Sequence, residues 1–218
     1  MVKGKAQSKV VSTVVNRSKR GMRTRIRGQL GSNTVIQGNE LLDKLQIGAT
    51  YTDTSAFIPL VGGSTQGRTS VIFANIARNF QKFIYEPGTA LHYQPAVGLN
   101  TAGTIYAAYI DNPELLAEYH GAGTVSRLTA IKTCANMRSY PVWQEFTLPL
   151  TATPRQRRFS NDAVVNFDDV DTLNRVAQGA FIIGVEGVVA NATSAQTIGN
   201  LSLTNRLRLE EIAPYKST

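Results

Sequence analysis

The residues best suited to chemistry stand at the start of the chain. Residues 1–28 hold Lys3, Lys5, Lys9, Arg17, Lys19, Arg20, Arg23, Arg25 and Arg27, and no Asp or Glu. Nine cations without an anion repel one another unless a polyanion supplies counter-charge, and each phosphate contact gains from released counterions. No Phe, Tyr or Trp is interleaved among them, so base stacking of the kind found in single-strand-binding grooves is not expected. The chemistry these residues point to is sequence-independent phosphate binding. A solvated tail or a localisation signal is the other reading of the same charge. Arg155, Arg157 and Arg158 form a second basic cluster, which either extends that surface or decorates a loop.

Carboxylates supply the next candidates. In YIDNPEL, Asp111 and Glu114 stand three apart at the end of a strand-like run, where a turn can aim both at one cation. Calcium accepts such groups together with carbonyl and water oxygens, in a flexible geometry that suits a site shared between two chains. In NFDDVDTLN, Asp168, Asp169 and Asp171 are a second set. Both stretches also read as solvated turns, since Asp and Asn are ordinary turn formers.

Nucleotide, nucleophilic and zinc chemistry find less support. GGSTQGRT, Gly62 to Thr69, fits the phosphate-binding loop except that Arg68 replaces the lysine. Arg is not an interchangeable point charge, and the parallel sheet this motif needs is not expected. A P-loop-like NTPase using Gly62–Thr69 is therefore the alternative function. His92 and His120 are the only histidines and no G-x-S-x-G elbow occurs. His92, in ALHYQP, reads as structural. One Cys and two distant His make no zinc set, and the single Cys134 reads as a small buried hydrophobe. It also forms no internal disulfide, which fits a reducing compartment, and leaves the sequons at Asn191 and Asn200 unused.

The elements that must position these residues follow from composition. The chain has 218 residues and a net charge of +8, enough for one larger all-β domain with a proper core. Outside the first 28 residues, 14 basic and 15 acidic groups remain, a net of −1. The charge therefore belongs to an arm on a near-neutral body. The arm has too little apolar content to offset its ordering entropy, so it is expected to be flexible when free. No apolar stretch approaches the roughly 20 residues that span a bilayer, and no secretory h-region is expected at the N-terminus.

From about residue 33, short runs rich in Val, Ile, Thr, Phe and Tyr alternate with Gly, Pro, Asn and Asp. Strands are predicted over Thr34–Ile47, Ala56–Val61, Phe80–Gln94, Thr104–Ile110, Val142–Leu150, Ala180–Val189 and Leu201–Ile212. The last is the clearest. Leu201, Leu203, Asn205, Leu207, Leu209 and Glu211 share one face, and Ser202, Thr204, Arg206, Arg208 and Glu210 the other. Helical spacing is confined to Ser70–Phe80, Pro113–Tyr119 and Ser126–Lys132. An α/β protein would show more and longer helices. The expected fold is all-β, a sandwich with short connecting helices.

The order of these segments resembles the shell domain of small icosahedral plant RNA virus coat proteins, the tombusvirus and sobemovirus type. TVIQGNELLDKLQIG is similar to that family's first shell strand, and ANIARNFQKFIYEPGTALHYQP to its helix and following strand. TAGTIYAAYIDNP, YPVWQEFTLPL, GAFIIGVEGV and IGNLSLTNRLRLEEIAP resemble the later strands in order. The resemblance covers about residues 34–214. It implies an eight-stranded antiparallel jelly roll over residues 34–218, preceded by a basic RNA-interacting arm over residues 1–33. It implies a capsid protein, not an enzyme, that self-assembles into an icosahedral shell and packages single-stranded RNA through the arm. The implied particle is T=3 with about 180 copies, 60 being the smaller closed shell. The virion and, during assembly, the host cytoplasm are the implied locations, with no membrane partner. The family's protruding domain is expected to be missing. Calcium between subunits is implied at Asp111, and at Glu114 where the family has a second aspartate. A cellular module with a basic tail is the remaining alternative.

Overall fold

The computed structural model describes residues 25–27, 33–49, 53–61, 79–158, 168–189 and 193–212. In chain order its elements are β1 (Arg25–Arg27), β2 (Asn33–Ile47), β3 (Thr54–Val61), β4 (Phe80–Tyr85), β5 (Ala90–Pro95), β6 (Thr104–Ile110), α1 (Pro113–Gly121), α2 (Thr124–Thr133), β7 (Arg138–Pro141), β8 (Phe146–Pro149), β9 (Arg157–Arg158), α3 (Val170–Val176), β10 (Ala177–Glu186) and β11 (Gln196–Ile212). They form a seven-stranded sheet, in which β11 lies between β2 and the pair β4 and β5, and a four-stranded sheet ordered β3-β10-β6-β7. All strand pairs are antiparallel. With β4 and β5 counted as one interrupted strand, and with β1 and β9 set aside as short additions, this is the eight-stranded jelly roll.

Departures from the expected strands have local causes. The run from Phe80 to Gln94 breaks at Glu86–Thr89, where the Thr89 amide donates to Glu86 O at 3.1 Å and Gly88 takes φ 102°, a conformation that favours glycine. The run from Val142 to Leu150 starts as a turn, closed by the Gln144 amide donating to Pro141 O at 3.0 Å. That turn carries the chain from β7 in one sheet to β8 in the other. Phe80 opens β4 and does not close a helix; the rest of that expected helix, residues 70–78, lies outside the described residues. α3 and the two-residue β9 have no counterpart among the predicted elements.

The core lies between the sheets. Period-two patterning sends Leu201, Leu203, Leu207 and Leu209 of β11 inward against Phe181, Ile183 and Val185 of β10. β10 is apolar on both faces, so both must be covered. Its other face, with Ala180 and Ile182, packs under Leu116, Tyr119, Ile131, Leu173 and Val176 of the three helices. The approach is close at Gly184, where a Cβ would lie 2.4 Å from Leu128 Cδ2.

Two polar stitches tie the sheets together. Buried Gln178 of β10 accepts from the Tyr85 amide at 2.8 Å and donates to Tyr85 O at 2.9 Å across the sandwich. At the opposite end, the Tyr93 hydroxyl donates to Val142 O at 2.6 Å and lies 3.2 Å from Ile198 O. Within the seven-stranded sheet, buried Asn205 donates to Glu40 Oε2 at 2.9 Å, so one inward position of β11 is satisfied by a carboxylate.

Gln178→Leu keeps the volume but leaves a buried donor and acceptor of Tyr85 unpaired, at about 1–3 kcal/mol per group. Denaturant unfolding should therefore show a loss of about 2–6 kcal/mol, and an unchanged midpoint would contradict the stitch.

Candidate nucleic-acid and metal interface

The carboxylates after β6 owe their placement to a helix cap. Asn112 is the N-cap of α1, its Oδ1 accepting from the Glu114 amide at 2.9 Å, with Pro113 in the first turn. Pro is preorganised for that position, and Glu114 meets the positive end of the helix dipole. Asp111 and Glu114 are therefore fixed one turn apart on the surface, Glu114 exposed and Asp111 half-buried. Asp111 Oδ2 lies 3.9 Å from Arg155 Nη2. Among the described residues no group of three or more metal-ligating side chains occurs.

The second acidic set is a cap. Asp169 caps α3, Oδ1 accepting from the Asp171 amide at 3.1 Å while Oδ2 accepts from the Thr172 hydroxyl at 2.5 Å. The Thr172 hydroxyl, then its amide, hold the Asp169 carboxyl below its ordinary range. Asp168 Oδ1 lies 3.9 Å from His120 Nδ1, and His120 packs edge-on against Phe57. The structure thus gives Asp169 a purely structural task.

The basic residues divide. Lys3, Lys5, Lys9, Arg17, Lys19, Arg20 and Arg23 lie outside the described residues. Arg25 and Arg27 belong to β1, which pairs with the edge of β2. Of the second cluster, Arg155 is exposed beside Asp111. Arg157 is structural, its Nε donating to Ala177 O at 2.8 Å, and burial lowers its pKa. Arg158 pairs with Lys82 at the sheet edge. Gly62–Thr69 also lies outside the described residues. The antiparallel β6 that ends just before Asp111 offers no parallel sheet of the kind a P-loop requires.

Sequence reading missed one charged face. The outward side of the seven-stranded sheet carries Arg206, Arg208 and Lys82, paired with Glu86, Glu210 and Glu211. The alternation of β11 marks Arg206 and Arg208 as polar-face residues, but their nearness to β1 is a matter of register. On the same face His92 is structural as expected: Nδ1 lies 2.9 Å from Thr147 Oγ1, Nε2 lies 2.8 Å from Thr204 Oγ1, and Thr204 donates to Asn39 Oδ1 at 2.9 Å. These bonds cross four strands. Cys134 is half-buried, its Sγ 3.5 Å from Ala130 O and from the Tyr119 hydroxyl.

This fold and surface define a class: the chain has the jelly-roll fold of viral capsid shell domains. It is similar to a solved tobacco necrosis virus chain at 18% identity, covering 97% of this chain and 95% of that one with a TM-score of 0.66. A Melon necrotic spot virus chain matches at 15% identity over all of this chain and 61% of its own length, TM-score 0.65. A Cocksfoot mottle virus chain matches at 13% identity over 80% and 93%, TM-score 0.60. No family model and no curated protein matches. Among the described residues no helix is long and apolar enough to cross a membrane.

Burial holds the His92 pKa below its ordinary value, with the Glu145 carboxylate opposing. The unfolded chain therefore binds this proton first as pH falls below about 6.5. Stability should decline from that point down to the folded pKa, and His92→Gln should flatten that part of the stability–pH profile. An identical slope in the variant would remove His92 from the linkage.

Proposed function

We propose that this chain is the coat-protein subunit of a small icosahedral RNA virus and acts by assembly, not catalysis. The observation that carries the reading is the match of the whole sandwich to viral shell domains, over almost the full tobacco necrosis virus chain. Many copies offer different edges to one another, and closed symmetry turns heterologous contacts into a shell. The virion is then its location, and the host cytoplasm its site of assembly.

The arm supplies the second half of the function. With about 180 copies, nine cations per arm amount to on the order of 1,600 positive charges, enough to neutralise a large share of a genome of a few thousand nucleotides. Packaging single-stranded RNA then depends on total charge more than on sequence. Electron microscopy of the purified protein tests assembly, with uniform spheres expected and a monomer on sizing columns contradicting it. Deleting residues 1–24 keeps β1 and the body, and should remove most co-purifying RNA; a truncated protein that still packs full-length RNA would sink the arm's role.

Asp111 and Glu114 fit a calcium ion in part. Both are accessible carboxylates on one turn, and calcium takes six to eight oxygens, so the remainder would come from backbone, water or a neighbouring copy. The bound ion would neutralise like charges at that contact. Chelator should then swell particles above neutral pH, and D111N/E114Q particles should no longer respond. Wild-type particles indifferent to chelator would argue against the ion.

A further inference from the structure

The four-stranded sheet is covered by helices: Leu116 and Tyr119 of α1, Ile131 of α2, and Leu173 and Val176 of α3 are buried against Val61, Ala108, Ile110, Ala180 and Ile182. The outward face of the seven-stranded sheet carries no helix among the described residues. Around the Arg206 and Arg208 positions the body's charges are paired. Arg206 Nε lies 3.4 Å from Glu86 Oε2, Arg208 Nε lies 3.3 Å from Glu86 Oε1 and from Glu210 Oε1, and Lys82 pairs with Glu211. Three cations meet three carboxylates. The arginine side chains are 47% and 37% exposed and both Glu86 and Glu210 only 16%. The acids therefore lie deeper and hold the guanidiniums toward solvent, with donors left over, since each guanidinium carries five N–H groups.

β1 changes this balance. Its register pairs Arg25 with Gln37 and Arg27 with Val35, and the same β2 residues pair on their other side with Arg206 and Arg208. Arg25, Gln37 and Arg206 thus form one cross-strand row, and Arg27, Val35 and Arg208 the next. Neighbouring strands are about 4.8 Å apart and alternate residues about 6.8 Å, so the backbone positions of four arginines mark the corners of a rectangle of roughly 10 by 7 Å. Two of them have the deeper carboxylates as partners, and β1 adds two charges to rows that are otherwise neutral.

We propose that β1 and the rows of Arg206 and Arg208 form a composite phosphate-binding surface for single-stranded RNA, which exists only while β1 is paired to β2. The proposal rests on the reading of the arm as RNA-binding and assigns its last two arginines to the body's sheet. A three-residue edge strand is marginal alone, and RNA bound across both rows stabilises the pairing by mass action. RNA binding and docking of the arm's end are then one coupled event.

The test is the salt dependence of binding of a short oligouridine to the full chain. Each lost single-strand phosphate contact lowers the log–log slope by about 0.7. R206Q leaves Glu86 paired with Arg208, and should lower the slope by about 0.7 with unchanged circular dichroism. R25Q/R27Q should lower it by about 2.8, its own two contacts and those of Arg206 and Arg208 together, and in that background R206Q should have no further effect. In an R17Q/K19Q background R206Q should keep its full effect. An R206Q slope equal to wild type, or an R206Q effect undiminished by R25Q/R27Q, overturns the composite surface while leaving the arm reading intact. Failure of that reading is separate: R25Q/R27Q and R17Q/K19Q would then both bind as wild type does. Equal R206Q-sensitive binding to anionic phospholipid vesicles would overturn the assignment to RNA.

Discussion

The structure depends on the backbone ladder of β11. This seventeen-residue strand is bonded to β2 on one side along almost its whole length and to β5 and β4 in turn on the other. Its alternation decides which side chains enter the core, and a slip of one residue would exchange Leu203 and Leu207 for Thr204 and Arg208. Every feature of the exposed face inherits that register: the Asn39–Thr204–His92–Thr147 chain, the arginine rows and the place where β1 docks. The bulges that interrupt the pairing with β2 between Thr197 and Gly199 and between Asn200 and Ser202 sit at one end and leave the rows of Arg206 and Arg208 in step.

Holding the second sheet onto this spine falls to apolar burial and to a few directed bonds. Hydrophobic contact alone is non-directional. The Gln178–Tyr85 pair and the Tyr93 hydroxyl fix how the two layers meet at either end, because a shift would strand buried polar groups. Burial raises the Tyr93 pKa well above its ordinary value, so the phenol keeps its proton and its donor role. On the outer face of the four-stranded sheet, Tyr106 donates to Glu186 Oε1 at 2.6 Å while Lys132 lies over the Tyr106 ring at 4.8 Å from its centroid, fastening α2 to β10.

The features legible in the sequence are those written in short-range patterns. Alternating leucines in β11 and the Asn-Pro start of α1 each signal their structure through neighbouring residues, whereas the run across the Pro-Gly break at residues 87–88 reads as one strand. The jelly-roll order was legible because a series of such patterns is more specific than any one. What stayed hidden depends on partners far apart in the chain. β9 pairs only two residues with β4, too few to leave a period. Arg25 and Arg206 read as an arm residue and a polar-face residue, and only the register of β2 puts them in one row. Asp169 looked like a ligand because a cap and a metal site ask for the same carboxylate.

The pairing of β2 with β11 also has a consequence in time. Asn39 and Glu40 bond to residues 165 positions later, so on the ribosome β2 waits with one edge open until nearly the whole chain has emerged. Contacts of such separation fold slowly and leave strand edges exposed meanwhile. The nine cations of the first 28 residues, by contrast, emerge before any strand of the body. A nascent chain therefore exposes its concentrated positive charge well before it can close the seven-stranded sheet.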